Sequence, residues 1–425
     1  MKYAIILPDG ASDEPLAQLG GRTPLEAAAI PHMDAVSRAG RLGRVVTVPP
    51  GFTPGTDVGT LTLMGYDPRT SYSGRAPMEA TARGLASTPD QVIFRCNFVH
   101  LADGRMRDFT AGHIAQADAE ELIAALNRTV FPGETCAFHS GVSYRNLLFL
   151  ADAADTELEL APPHDIADQP VDRHQPRGRG HERVRTLMAR AREVLADHPV
   201  NRRRRERGEA WATDIWLWGQ GVQVPLASLE ARFGLRGAMI TAVDILRGIA
   251  VGMGLDLIHV PGATGYIDTD YEGKGRAAVA ALKDYDLVAV HVEAPDESAH
   301  QGMAEEKVKA LERIDQAVVG PLLEALRGCG DYRILVAPDH ATLLRTKGHD
   351  ATPPPFCYAG TGVGPGSGRP FTEREAEATG VCLDPGHTLL EAFLRGNECR
   401  PRETSGAPGL NHGLCGLDGK AVGRG

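Results

Sequence analysis

No apolar run in this 425-residue chain approaches the ~20 residues that a membrane helix needs, so no transmembrane anchor is expected. The opening MKYAIILPDG is broken by Pro8 too soon to serve as a signal-peptide core. Basic excess is missing as well. The formal net charge is −10, which argues against nucleic acid or an acidic membrane surface as the main partner. The seven cysteines are scattered, with no C-x-x-C pair, and read as free thiols in a reducing compartment; a cytoplasmic location is expected. Internal repeats are absent. The glycine-rich stretch at 360–368 follows no convincing strand and lacks a G-K-[ST] ending, so it reads as a flexible loop.

Hydrophobic residues make up 42% and charged residues 24% of the chain, an ordinary balance for a globular protein. Single cores stop growing near ~250–300 residues, so this length allows two domains. The runs YAIIL, DLIHV, DLVAVHVEA and YRILVA read as buried parallel strands alternating with helices, which predicts a doubly wound, mostly parallel α/β sheet. Between the last two runs, Val308, Leu311, Ile314, Val318, Leu322 and Leu326 recur at helical spacing, and Gly328 and Gly330 close that helix. From about Ser71 to Arg205 the pattern changes to strand-like QVIFRCNFV, TCAFHSGV and YRNLLFLAD, with helices between them. This predicts a smaller α+β domain over 71–205, inserted into a domain built from 1–70 and 206–400. The tail, 401–425, lacks periodicity and is expected to be disordered.

Chemistry-bearing residues follow the strand-like runs. Asp9 follows YAIIL, Asp296 and His300 follow DLVAVHVEA, and Asp339-His340 follow YRILVA, with His349 shortly after. In an open parallel sheet, ligands gather beyond the carboxyl ends of the strands, so these residues can converge. Three Asp and three His suffice for two divalent cations, and imidazole with carboxylate suits manganese or zinc. In PGTDVGTLTL, Thr56 falls at the start of an apolar helix, where free N–H groups favour a phosphate. Taken alone, Thr56 reads more simply as a helix cap.

Together, PDGASD, TPGTDVGTLTLMGYDP, SGRAPMEA, FRCNF, HPVN, VPGATGYIDTDYEGK, HVEAPDESAHQG and APDHAT resemble the archaeal-type cofactor-independent phosphoglycerate mutases of the alkaline phosphatase superfamily, over roughly residues 1 to 395. The resemblance implies an alkaline-phosphatase-like core. It implies one cation on Asp296, His300 and His349, and a second on Asp9, Asp339, His340 and the nucleophile Thr56. Manganese is the first choice, with zinc or magnesium as alternatives; neither a nucleotide nor 2,3-bisphosphoglycerate is needed. The implied reaction interconverts 2- and 3-phosphoglycerate through a phosphothreonine, the partner being a small phosphorylated hydroxy acid. A homo-oligomer is compatible with it.

Guanidinium groups match carboxylate and phosphate geometrically. Arg75, Arg95 and Arg145 fall in family motifs and are expected to bind substrate; Arg204, which follows HPVN in an otherwise solvated four-arginine run, is a weaker candidate. Lys274 is expected to screen charge near the cations or to lie on the surface. Two departures from the family stand out. Thr56 replaces the usual serine, and Arg107-Asp108-Phe109-Thr110-Ala111-Gly112-His113 replaces a run like D-R-R-A-G-R. Asp108 remains a candidate general acid/base. The second departure keeps alive a homoserine-kinase-like phosphotransferase as the alternative, ahead of a metal-dependent phosphatase or phosphodiesterase.

Overall fold

The computed structural model describes residues 1–129, 136–153 and 157–396; the expected disordered tail at 401–425 lies outside them. An eight-stranded sheet runs in the order Asp256–Leu257, Gly237–Ile240, Leu287–Val292, Lys2–Pro8, Tyr332–Val336, Pro355–Gly360, Arg41–Val45, Cys382–Leu383. Only Pro355–Gly360 runs against its neighbours. The fold is therefore α/β with a mostly parallel sheet, as the sequence predicts.

Alternation within the central strands explains why helices cover both faces. Ile6, Val288, Val290 and Ile334 pack on one side with Ile314, Val318 and Leu322. Ile5, Leu7, Ala289 and Leu335 pack on the other with Leu246, Ile249, Leu390 and Phe393. Strands apolar on both faces are stable only when sandwiched in this way. Each large aliphatic side chain so buried contributes roughly 1.5–3 kcal/mol. The long predicted helix forms as Ala304–Ile314 and Gly320–Gly328, joined through a π-helical turn at Asp315–Val319. There the Asp315 carboxylate accepts hydrogen bonds from the amides of His32 and Met33.

A second sheet is wholly antiparallel and contains Val92–Ala102, Arg105–Asp108, Cys136–Val142, Arg145–Leu150 and Asp214–Gly221. It has its own core of Phe94, Phe98, Leu148, Leu187 and Trp216. Two expected boundaries need correction. Asp214–Gly221 pairs along Val92–Ala102, so this sheet extends past residue 205. Helix Arg75–Ala82, assigned to the insert, also packs on the helix Asp244–Gly252 of the first unit, because Gly248 admits the Met78 carbonyl where a Cβ would lie only 2.0 Å away. The strand Gly237–Ile240 was too short to be read, and the DLIHV run forms strand only at Asp256–Leu257. Among the described residues no helix is long and apolar enough to cross a membrane.

Three adjacent strands, Leu287–Val292, Lys2–Pro8 and Tyr332–Val336, end side by side, and the Asp9 amide donates to the Val292 carbonyl at 3.0 Å. Against these ends sits the fully buried helix Thr56–Leu63. Its approach depends on Gly59, where a Cβ would lie 2.2 Å from the Asp339 carbonyl oxygen. Backbone cannot yield as a side-chain tip can. Gly59→Ala is therefore expected to cost about 1–3 kcal/mol of stability and to weaken divalent-metal affinity, because Asp339 must shift. Thermal melts and metal titration check this; an unchanged melting temperature with unchanged affinity contradicts it.

Candidate active site

Two sets of candidate ligands converge beyond these strand ends. Asp296, His300 and His349 offer atoms within 4.8 Å of one another, and so do Asp9, Asp339 and His340. Helix Ala294–His300 brings Asp296 and His300 to one face, while His349 arrives on the short hairpin Ala341–Leu343 and Gly348–Asp350. Thr56 is the first helical residue rather than a cap. Its hydroxyl lies 3.2 Å from Asp9 Oδ2 and 3.3 Å from His340 Nε2.

The three candidate ligand histidines share one arrangement. His300 Nδ1 faces the Lys347 carbonyl at 2.9 Å, His349 Nδ1 faces the Pro54 carbonyl at 3.2 Å, and His340 Nδ1 faces the Ala341 carbonyl and Thr342 Oγ1. Oxygen acceptors at Nδ1 place a proton there and leave Nε2, which faces Asp296 in His300 and His349, as the nitrogen a cation would take. Those Nε2 atoms point inward: His300 and His349 meet at 3.0 Å, and His340 lies 3.2 Å from Asp9 Oδ1. Inward-facing Nε2 atoms around carboxylates suit a cation.

Electrostatics point the same way. Burial, together with the charges of Asp339, Glu293 and Asp296, raises the Asp9 carboxyl well above its usual range. Asp9 Oδ1 is also buried without a hydrogen-bond partner. Burial pushes Asp296 upward too, but hydrogen bonds from His300 and His349 outweigh it and hold the group well below normal. The residues present thus fit divalent cations, which neutralise buried carboxylates and accept imidazole nitrogens.

Sequence reasoning missed His291 and Glu293, which form a third group with Asp9. The Thr241 hydroxyl accepts from the Val243 amide and so turns its own proton to His291 Nδ1, at 3.2 Å. His291 Nε2–H is then left to donate to Asp9 Oδ2 at 2.8 Å, which orients that carboxylate. Burial raises the pKa of Glu293 to about 7. The available signal was a histidine inside an otherwise apolar strand and a glutamate immediately after it. Asp57, which pairs with Arg75, was also missed.

A cavity of about 470 Å³ opens over Thr56 and is lined by Arg75, Arg95 and Arg145 together with Glu79, Glu293, His300 and His349. Arg95 pairs with Glu79 at 3.0 Å and stacks over Trp218 at 4.0 Å. Its pKa is lowered by burial and by the neighbouring Arg75 and Arg145, against the opposing pull of Glu79. Three arginines thus face one cavity with five carboxylates, those of Glu79, Asp244, Glu293, Asp296 and Glu297. A larger surface hollow of about 760 Å³, beside Arg276, Lys283 and Glu324, contains none of the candidate catalytic groups.

Asp108, Arg204 and Lys274, expected at the site, neither line this cavity nor belong to a candidate ligand group. The Asp108 carboxylate caps its own turn, accepting from the Thr110 amide and hydroxyl and the Gly112 amide. Arg204 is buried, bonding the carbonyls of Ala210, Ala111 and Gly112 and pairing with Asp118 and Glu209; it clamps the 107–113 segment. Lys274 is fully buried behind the cluster, donating to the His291 carbonyl at 3.1 Å. Burial lowers its pKa to about 8, although Glu293 opposes this.

Residues 37–201 match the family model described as 2,3-bisphosphoglycerate-independent phosphoglycerate mutase. The chain is 46% identical to a probable 2,3-bisphosphoglycerate-independent phosphoglycerate mutase of Geobacter sulfurreducens, over 93% of this chain and 100% of that protein. It is also 46% identical to the mutase of that name from Methanothrix thermoacetophila, again over 93% and 100%. A solved cofactor-independent phosphoglycerate mutase from Thermoplasma acidophilum superposes with a TM-score of 0.64 at 25% identity, covering 93% of this chain and 99% of that one.

One pH effect follows from His300. Its hydrogen bond to Asp296 outweighs burial and raises its pKa to about 9 in the metal-free protein. A histidine raised on folding stabilises fully below the unfolded value, ~6.5, and loses that contribution as pH climbs through the folded one. The difference in melting temperature between chelated wild type and chelated His300→Gln should therefore shrink from about pH 6.5 to 9. Taking the difference between the two proteins removes the opposing effect of Lys274 above pH 8. A difference that grows over this range contradicts the assignment.

Proposed function

Because the chain belongs to the 2,3-bisphosphoglycerate-independent phosphoglycerate mutase family, we propose that it interconverts 2- and 3-phosphoglycerate by passing the phosphoryl group through Thr56. The observation that carries this reading is the Thr56 hydroxyl, set between Asp9 and His340 at the floor of a cavity that three arginines line. Asp296, His300 and His349 would hold one divalent cation. Asp9, Asp339, His340 and Thr56 would hold the other, with manganese favoured over zinc or magnesium. Such cations, when bound, supply the charge neutralisation that lets a hydroxyl act as a nucleophile near neutral pH.

The chain's own groups do the rest. Thr56 attacks phosphorus, and its methyl is tolerated because the hydroxyl is already directed toward Asp9 and His340. His291 keeps the Asp9 carboxylate turned to the site. Arg75, Arg95 and Arg145 bind the carboxylate and phosphate of the substrate and retain the glycerate while it reorients, so that the phosphoryl group returns to it rather than to water. No nucleotide and no 2,3-bisphosphoglycerate enters this scheme. The 107–113 segment, which kept a homoserine-kinase-like alternative open, is self-satisfied and does not line the cavity, so it lends that alternative no support.

The test is turnover of 3-phosphoglycerate by the metal-reconstituted protein without nucleotide, following 2-phosphoglycerate and free phosphate separately. Mutase product with little free phosphate is expected, kept in part by Thr56→Ser and reduced more than about a thousandfold in Thr56→Ala. Steady phosphate release, or full activity in Thr56→Ala, contradicts the proposal.

A further inference from the structure

We infer that Asp57 is a positioning residue for phosphoryl transfer: it grips Arg75 on the Nε side and so aims the guanidinium's outer N–H groups across Gly55 at a phosphoryl group on Thr56. This deepens the function proposed above and rests on Thr56 being the phosphoryl acceptor.

Asp57 directly follows the nucleophile, is buried, and belongs to neither ligand cluster. One carboxylate oxygen accepts the Val58 amide at 3.0 Å. The other accepts the Tyr72 hydroxyl at 2.5 Å and Arg75 Nε at 3.0 Å. A guanidinium has five N–H donors in a rigid plane, so fixing the Nε edge fixes where the remaining four point. Their direction is marked by Gly55. A Cβ there would lie 2.9 Å from Asp57 Oδ1, 3.3 Å from Arg75 Nη2 and 3.8 Å from His349 Nδ1. Arg75 Nη2 therefore rests over the residue that precedes the nucleophile, beside a ligand histidine. Gly55 is extended, with φ 172°, a conformation open to any residue; what the site requires of it is space.

The backbone carrying Arg75 is held as well. Gly74 abuts the second sheet, where a Cβ would meet the Gln220 carbonyl at 2.0 Å, and helix Arg75–Ala82 packs on helix Asp244–Gly252 through Gly248. Asp57 thus ties an arginine mounted between the two sheets to the helix that bears the nucleophile. Arg95 has its own counter-ion in Glu79, so the effect of Asp57 is specific to Arg75.

The experiment measures the affinity of the metal-loaded protein for inorganic phosphate by calorimetry, alongside 3-phosphoglycerate kinetics, in wild type, Asp57→Asn, Arg75→Ala and the double variant. Asp57→Asn should weaken phosphate binding about tenfold, as Arg75→Ala does, and the double variant should be no weaker than Arg75→Ala alone. Free guanidinium should restore activity to Arg75→Ala but not to the double variant, because only Asp57 can orient it; a merely structural role would not produce that split. Additive losses, or equal rescue of both variants, overturn the inference. If Asp57→Asn does not fold, Tyr72→Phe and Gly55→Ala carry the test. Each should weaken phosphate binding about threefold in wild type and not at all in Arg75→Ala; unchanged affinity in wild type overturns it. A wild type that shows this coupling yet makes no 2-phosphoglycerate refutes the proposed substrate and leaves the role of Asp57 standing.

Discussion

Asp9, Asp296 and Asp339 are brought together, almost without solvent, beyond the ends of three parallel strands, with Glu293 close behind. Burying one carboxylate without a partner is costly, and gathering several multiplies the cost. The protein's own groups relieve it only in part: His300 and His349 offset Asp296, whereas Lys274 donates to a backbone carbonyl and Lys307 pairs with Asp13. Divalent cations from outside would neutralise the charge that remains on Asp9 and Asp339. The same demand makes it useful, because charge able to neutralise carboxylates can also stabilise a phosphoryl group in transit.

Much of the surrounding structure keeps that cluster in register. Glycine at 59 lets the nucleophile's helix press against the Asp339 backbone, and glycine at 55 leaves room for Arg75. Carbonyls of Lys347 and Pro54 fix two histidine rings, and His291 fixes Asp9. Behind these, buried Lys307 ties Asp13 to the carbonyls of Ser12 and Thr342 and so joins the loop after the first strand to the hairpin that carries His349.

The candidate ligand cluster was legible where Asp9, Asp296 and Asp339-His340 follow apolar runs that read as buried strands, because parallel strands bring their ends together. The sequence was less informative where residue type does not reveal use. Asp108 and Arg204 sit at family-like positions, yet their hydrogen bonds are spent within one turn and its clamp. Nothing in an arginine's identity separates a guanidinium that caps carbonyls from one that faces a cavity. His291 was concealed inside a run, DLVAVHVEA, read only as a buried strand. The domain boundary at 205 failed because Asp214–Gly221 crosses back to pair with a strand more than a hundred residues earlier, a contact that local pattern cannot register.

The most direct test of the central claim is a crystal structure of the manganese-loaded protein with anomalous scattering recorded at the metal edge. The account predicts two ions per chain, one between Asp296, His300 and His349 and one between Asp9, Asp339 and His340 within reach of the Thr56 hydroxyl. A single ion seated on Asp9, His291 and Glu293, or none at all with the carboxylates still clustered, would contradict it.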